Sequence, residues 1–441
     1  MEIFTVENLT FTYPEQKNPV LQSIQLSMNQ GDFVVVFGES GSGKTTLLKM
    51  LKKELAPHGE RTGNIYYMGQ NLDDLDERTL ASEIGYVMQN PETQIVTDKV
   101  WHELAFGLEN IGVPTEKIRR QVGEIANFFG IHTWFQHKTT DLSGGQKQLL
   151  NLAAVMVMEP KVLILDEPTS QLDPIAATHF LQTLEKLNRD LGLTIIVVEH
   201  RLEEVLPLAD KLVLLEKGKV ICTEEPRKIG EQLKAIDDNH PMFFALPTAM
   251  KVFHRLHKEG ISPLTVREGR NFLNEYVSSS IRALDKKEEA PQQRKIAMEL
   301  KNVWFRYERD LPDILAGVDV QVYEGEVVSI LGGNGSGKTT LLQVMAGQNR
   351  AYRGKVFING KKIQSYKGKE LYRRNIAVLP QDPQTVFIKK SVIEDYKEIA
   401  KVLQYSDDEM AQLIEKVAND LSLTDLLHKH PYEISRLTIS H

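Results

Sequence analysis

Gly38-Glu39-Ser40-Gly41-Ser42-Gly43-Lys44-Thr45-Thr46 returns as Gly332-Gly333-Asn334-Gly335-Ser336-Gly337-Lys338-Thr339-Thr340, and no other feature restricts the fold so tightly. Each stretch follows a short apolar run, Phe33 to Phe37 and Val327 to Leu331, and each opens into a helix-like segment beginning Thr-Thr-Leu-Leu. That is the strand, loop and helix context of a Walker A phosphate-binding loop. The glycines let backbone N–H groups close around the β-phosphate without Cβ clashes, and the helix N-terminus favours the anion. Lys44 and Lys338 would reach the β- and γ-phosphates, and the hydroxyls of Thr45 and Thr339 would ligate Mg²⁺. A glycine-rich turn without a ligand is the alternative for one such match, and it weakens when two stand in register.

The repeat sets the architecture. Tyr13 and Tyr307, like Lys44 and Lys338, stand 294 residues apart, and Gln89 and Gln381 stand 292 apart. A period this long means duplicated domains rather than a solenoid, and a chain of 441 residues has room for two to three cores. In the first copy, Phe4 to Tyr13 suits a half-buried antiparallel strand, and the chain turns at Pro14. The apolar runs Val162 to Leu165 and Thr194 to Val198 are short and rich in β-branched residues, the pattern of a parallel sheet buried on both faces. Glu109 to Phe129 and Asp141 to Met158 read as helices of a lobe between Gln89 and the acidic strand. The fold class expected is therefore α/β, with a parallel core sheet, an antiparallel β edge and a helical lobe, in tandem.

The segment 226–284 reads as a helical appendage to a first domain at 1–225, and 285–295 as a charged, solvated linker. The second copy occupies 296–441. It reaches Tyr432-Glu433-Ile434-Ser435, aligned on Thr140-Asp141-Leu142-Ser143, and no counterpart follows in the sequence, with Arg436 aligned on Gly144. The net charge of −7 gives no sequence-wide basic signal, so nucleic acid is not the expected partner, although a local basic patch is compatible with it. No apolar stretch approaches the ~18 residues that span a bilayer. Met1-Glu2-Ile3-Phe4 lacks the pattern of a signal peptide, and the single Cys222 fits a reducing compartment, so a cytoplasmic location is expected.

Leu142-Ser143-Gly144-Gly145-Gln146 precedes a helical run, Lys147 to Met158. Alone, Ser143 and Gln146 form a capping box. Beside a Walker A loop the pentapeptide has a sharper meaning, because a glycine-bearing helix N-terminus accepts a second phosphate group. Here the chain resembles the ATP-binding cassette (ABC) ATPases, whose signature is Leu-Ser-Gly-Gly-Gln. The resemblance covers about residues 2 to 220.

The resemblance implies roles for further residues. Asp166 of Val162-Leu-Ile-Leu-Asp166-Glu167-Pro168 would hold the Mg²⁺ shell and Glu167 would polarise the attacking water; a solvated strand end is the bland alternative. Ser170-Gln171-Leu172-Asp173 looks like the D-loop, with Gln171 where the family often has alanine. His200 matches the switch histidine, Tyr13 and Tyr307 would stack on adenine, and Gln89, like Gln381, would touch Mg²⁺ or the lytic water. Taken alone, the histidine and the tyrosines are as readily structural. In this family hydrolysis occurs between two facing domains, each lending its signature to the other's ATP. Because the second copy lacks Walker B, switch histidine and signature glycines in this sequence, the expectation is that hydrolysis needs a complete domain from another chain, as homodimer or paralogue. A catalysis-defective or frameshifted remnant is the other expectation.

Gln89-Asn90-Pro91-Glu92-Thr93-Gln94-Ile95-Val96 and Val100 to Asn110 resemble the ATPases of energy-coupling factor (ECF) vitamin and cobalt importers, as does Val198-Glu199-His200-Arg201. The tandem arrangement with His240 to Pro247 and Pro263 to Arg267 looks most like fused ECF ATPases assigned to hydroxymethylpyrimidine or thiamine uptake. This implies ATP and Mg²⁺ as cofactors, a transmembrane T component and a substrate-binding S component as partners, and a peripheral place on the cytoplasmic face of the membrane. Soluble tandem ABC ATPases acting on ribosomes or DNA are the competing class.

Overall fold

The computed structural model describes residues 1–14, 16–256, 260–276, 294–333, 335–373, 375–380, 383–421 and 423–431. Asn334, Gln381, most of the expected linker (285–293) and the segment carrying Ser435 and Arg436 lie outside the described residues. The chain divides into two compact units, Met1–Ala283 and Leu284–His441.

The first unit begins with β1 (Glu2–Thr12), β2 (Leu21–Asn29) and β3 (Phe33–Phe37). The phosphate loop leads into α1 (Lys44–Met50), then β4 (Glu60–Tyr67), β5 (Gln70–Asn71), α2 (Glu77–Glu83) and β6 (Ile84–Val87). The lobe follows as α3 (Val100–Asn110), α4 (Thr115–Phe128) and α5 (Gly144–Met156). The rest alternates: β7 (Val162–Asp166), α6 (Pro174–Leu191), β8 (Thr194–Val198), α7 (Leu202–Val205), β9 (Lys211–Glu216) and β10 (Lys219–Glu224). Three helices close the unit, α8 (Ile229–Ile236), α9 (Thr248–Arg255) and α10 (Val266–Tyr276).

The central sheet has the order β10-β9-β3-β8-β7-β6, parallel throughout except for the β9–β10 hairpin. Every residue of β3, β7 and β8 is buried, which is why these strands read as unbroken apolar runs. Alternation still governs which face each side chain serves. Phe33, Val35, Leu163, Leu165, Ile195 and Val197 join the core shared with the lobe, α6 and α8. Val34, Val36, Val162, Ile164, Ile196 and Val198 join the core shared with α1 and the separate sheet β2-β1-β4-β5. Ile229, Leu233, Phe243, Leu246 and Met250, all within the expected appendage, belong to the first of these cores.

One helix differs from expectation. The span Glu109 to Phe129 is divided: α3 ends at Asn110 and α4 starts at Thr115. Gly112 takes φ 72° between them, and Pro114 fixes the entry to α4, so the chain turns where a continuous helix was read.

The second unit contains β11 (Ile296–Phe305), β12 (Leu315–Tyr323), α11 (Lys338–Met345), β13 (Arg353–Ile358), β14 (Lys361–Lys362), α12 (Val392–Leu403) and α13 (Asp407–Asp420). Its sheet, β12-β11-β13-β14, repeats the antiparallel sheet of the first unit. Val327 to Leu331, expected as the strand before the second phosphate loop, forms none: Val327 is 94% and Leu331 89% exposed. Their counterparts in β3 are held between β8 and β9, and among the described residues of this unit no strand offers such flanks. An apolar run becomes a strand when a neighbour satisfies its backbone groups.

Candidate functional site

The first phosphate loop is built by the end of β3 and the start of α1. Gly38 has φ 149°, and a Cβ there would stand 2.0 Å from the Leu215 carbonyl oxygen, so only glycine fits. Gly41 and Gly43 take φ 78° and 102°, while Glu39 and Ser40 are exposed at the rim. Lys44 is buried, and its Nζ donates to the carbonyls of Gly38 and Glu39 at 2.8 Å each. Burial lowers the Lys44 pKa against the opposing charges of Glu167, Asp166 and Glu39. Ser42 Oγ is buried with no hydrogen-bond partner among the described residues. The Tyr13 hydroxyl lies 3.1 Å from Thr46 Oγ1 and its ring meets Phe11 edge-on, with centroids 4.9 Å apart.

The acidic pair stands where β7 ends beside β8. Thr45 Oγ1 donates to Asp166 Oδ1 at 3.1 Å, and Tyr86 is 3.5 Å from the other oxygen. Burial raises the Asp166 pKa, the Thr45 bond lowers it, and neighbouring Glu167 raises it further. Glu167 lies in the left-handed region at φ 45°, an uncommon conformation for a residue with a side chain. Its N–H donates to the Val198 carbonyl at 3.0 Å. Its carboxylate accepts Gln89 Nε2 at 2.7 Å and lies 2.9 Å from His200 Nε2. Burial pushes the Glu167 pKa up, but the His200 bond and charge, Lys44 and Gln89 together hold it below the ordinary glutamate value. Glu167, His200 and Gln89 thus form one cluster, and Thr45 with Asp166 supplies oxygen donors suited to a hard divalent cation. The orphaned Ser42 hydroxyl and the glycine cradle likewise suit a phosphate chain with Mg²⁺, which would be held by Thr45 and Asp166.

Ser143 and Gln146 do form the capping box: Ser143 Oγ accepts the Gln146 N–H at 3.3 Å, and Gln146 Oε1 accepts the Ser143 N–H at 2.9 Å. Gly144 has open space where a Cβ would stand, and Gly145 faces Ala176 at 3.3 Å. No hydrogen bond among the described residues joins 143–146 to the loop 38–46, so these two motifs are not brought together within the unit.

Several residues of this neighbourhood escaped the sequence reading. Lys147 Nζ meets Glu92 at 2.6 Å, Asn151 Nδ2 donates to the Pro91 carbonyl at 3.0 Å, and Gln148 Nε2 to that of Met88 at 3.4 Å. They fasten the helix behind the signature to the segment on either side of Gln89. Buried Glu103 accepts the N–H groups of Val96 and Thr97 at 3.1 and 2.7 Å, shaping the same segment. Polar residues at apolar positions of α3 and α5 are the signal that could have found them. Glu199, buried beside His200, belongs to the same class.

The second loop repeats the local geometry. Lys338 Nζ donates to Gly332 and Gly333 carbonyls at 2.9 and 2.8 Å, and the Tyr307 hydroxyl lies 3.1 Å from Thr340 Oγ1. Gly335 and Gly337 take φ 78° and 89°, and a Cβ on Gly332 would stand 2.6 Å from Ser336 Oγ. Thr339 is exposed and has no hydroxyl hydrogen bond among the described residues.

A family model described as ABC transporter matches residues 21–170 and 315–438. A Bacillus thuringiensis protein described as an ABC transporter ATP-binding protein is 40% identical over 430 residues, covering 98% of this chain and 76% of that protein. A Methanosarcina acetivorans protein so described is 31% identical over 470 residues, 98% of this chain and 72% of the relative. A structure of cbiO1 from Clostridium perfringens, titled part of the ABC transporter complex cbiONQ, aligns with a TM-score of 0.49 and 28% identity over 58% of this chain and 99% of that one. The fold is that of the ABC ATPases, P-loop enzymes that bind and hydrolyse ATP. The chain belongs to the ABC transporter family, as an ATP-binding subunit.

Proposed function

We propose that this subunit energises an ECF-type importer of a vitamin-like small molecule, with hydroxymethylpyrimidine or thiamine as the compounds favoured by its resemblance. The observation carrying the catalytic part is the Glu167 carboxylate, shared between Gln89 at 2.7 Å and His200 at 2.9 Å beside Lys44 and the Thr45–Asp166 pair. Tyr13 stacks on adenine, and the loop N–H groups of 38–46 with Lys44 hold the phosphates. Glu167, kept ionised by its neighbours, accepts a proton from the attacking water, and His200 steadies the γ-phosphate. Thr45 and Asp166 would hold Mg²⁺, which would supply charge neutralisation on the phosphate chain. Ser143 to Gln146 complete the site of a second, facing domain, since they do not reach Lys44 in their own unit. The second phosphate loop would bind nucleotide through Tyr307, its loop N–H groups and Lys338, with Thr339 as a cation ligand; Gln381, expected in the same role, lies outside the described residues.

The transport part rests on the segment after Gln89. Val96 and Trp101 stand 68% and 40% exposed on it, while Glu103, Lys147 and Asn151 tie it to the helical lobe. Exposed apolar groups on a braced segment suit docking to a membrane T component, which works with a substrate-holding S component. Among the described residues no helix is long and apolar enough to cross a membrane; the peripheral place on the cytoplasmic face rests on the resemblance to ECF ATPases. Co-purification from detergent-solubilised membranes is the test. The chain should bring down a transmembrane partner, and Val96→Asp with Trp101→Asp should release it while ATP binding persists. Co-sedimentation with ribosomes instead would overturn the importer reading.

A further inference from the structure

We infer that Glu199 is a positioning residue for hydrolysis, bridging the segment after β7 to the segment after β8 so that Glu167 and His200 meet in one register. Its side chain is among the most buried carboxylates in the first unit, 2% exposed directly after the buried strand β8. A carboxylate withdrawn from water costs several kcal/mol unless donors satisfy it. Here no cation is paired with it among the described residues. Instead Oε1 accepts the Thr169 N–H at 3.1 Å and the Thr169 hydroxyl at 2.7 Å, and Oε2 accepts the His200 N–H at 3.3 Å.

The chain positions give this arrangement its meaning. Thr169, itself fully buried, follows Glu167 by two residues, and His200 directly follows Glu199. On the other side of His200, Arg201 Nη2 donates to the Leu172 carbonyl at 3.2 Å. Three consecutive residues after β8 therefore each grip the segment after β7: Glu199 holds Thr169, His200 holds Glu167, and Arg201 holds Leu172. Glu167 needs such a frame, because its φ of 45° persists only where the surroundings impose it. An aliphatic residue at 199 would fill the space at less cost in desolvation, but would leave the Thr169 donors buried and unmet. All three bonds run toward Glu199, so it accepts and does not deliver a proton; it acts through its neighbours. Burial and the charge of Glu167 push the Glu199 pKa up, in keeping with the cost of keeping a carboxylate there.

The inference rests on the assignment of Glu167 as the base, and the experiment separates the two. In the full chain, Glu199→Ala should lower kcat at least about tenfold, the scale of one lost buried charged hydrogen bond, while KM and the Kd of a fluorescent ATP analogue move less than about threefold. Glu199→Gln, which keeps an acceptor for Thr169, should recover most of that loss. In a Glu167→Gln background Glu199→Ala should cost nothing further. Should Glu199→Ala fail to fold, Thr169→Val removes the shortest of the three bonds and should lower kcat about three- to tenfold with binding intact. Turnover within twofold of the parent for Glu199→Ala, or for Thr169→Val where the alanine variant does not fold, would overturn the inference. So would losses of turnover and nucleotide binding in equal proportion, which mark a residue needed only for folding. Normal turnover by Glu167→Gln alone would sink the base assignment instead.

Discussion

The described residues of the two phosphate loops share their lysine and tyrosine contacts, and the strands that precede the loops differ. In both, the lysine caps two loop carbonyls at 2.8 to 2.9 Å and the tyrosine hydroxyl sits 3.1 Å from the second threonine. In the first unit, Lys44 is buried, the preceding strand lies between two parallel neighbours, and Thr45 meets Asp166. In the second, the preceding apolar run is exposed and Thr339 has no hydroxyl hydrogen bond among the described residues. What the loops share is thus local, set by their glycines and a lysine. On the proposed reading, chemical competence would be a property of the sheet, because in the first unit Asp166, Glu167 and His200 stand at the ends of β7 and β8.

The sharpest way to break this contrast is to remove each lysine in turn. Lys44→Ala should cut ATP turnover by at least about 100-fold, as expected for loss of a cation acting on the transferred phosphate, whereas Lys338→Ala should leave turnover within about twofold. Steady-state ATPase assays on the full chain decide it, and equal losses from the two substitutions would make the loops functionally equivalent.

A smaller effect should appear in the backbone. An extended apolar segment without paired neighbours opens at little cost, whereas β3 opens only when its sheet does. Under limited proteolysis followed by mass spectrometry, first cuts within 324–333 should accumulate roughly tenfold faster than cuts within 30–38. Equal rates at the two sites would mean that the second run is protected in solution.

Much of this contrast was legible in the residues, and the illegible parts share a cause. The runs that became β3, β7 and β8 were readable because a strand buried on both faces leaves no polar interruption. Lys44, Thr45, Asp166, Glu167, His200 and Gln89 were readable because motif spacing constrains them. The run Val327 to Leu331 misled because its composition matches β3, while the strands that make β3 a strand lie more than 150 residues away in sequence. The roles of Glu199, Glu103, Gln148 and Asn151 were missed for a related reason: a polar residue at an apolar position marks each as unusual, but its hydrogen-bond partner lies elsewhere in the chain and periodicity does not name it. The turn at Gly112-Val113-Pro114 was readable and was passed over in favour of helical spacing on both sides.

The last difference to sharpen is the cost of the acidic pair itself, which among the described residues stands in the first unit. Asp166 is 5% exposed, and its folded-state pKa is raised above the ordinary 3.8, chiefly by burial. A carboxyl raised in this way stabilises the fold fully below its unfolded pKa, and that contribution is lost as pH rises through the folded value. At neutral pH the ligand-free protein therefore bears the charge at a cost. Asp166→Asn should remove it, retaining an acceptor for Thr45, and raise the Tm of the first unit by about 2–4 °C for each ~1 kcal/mol relieved. The gain should shrink as the pH falls toward the range in which the aspartate protonates, and ATP turnover should fall at the same time. A Tm that stays level or drops at neutral pH would mean that the Thr45 and Tyr86 contacts outweigh the buried charge, leaving the two loops distinguished by geometry rather than by stored electrostatic cost.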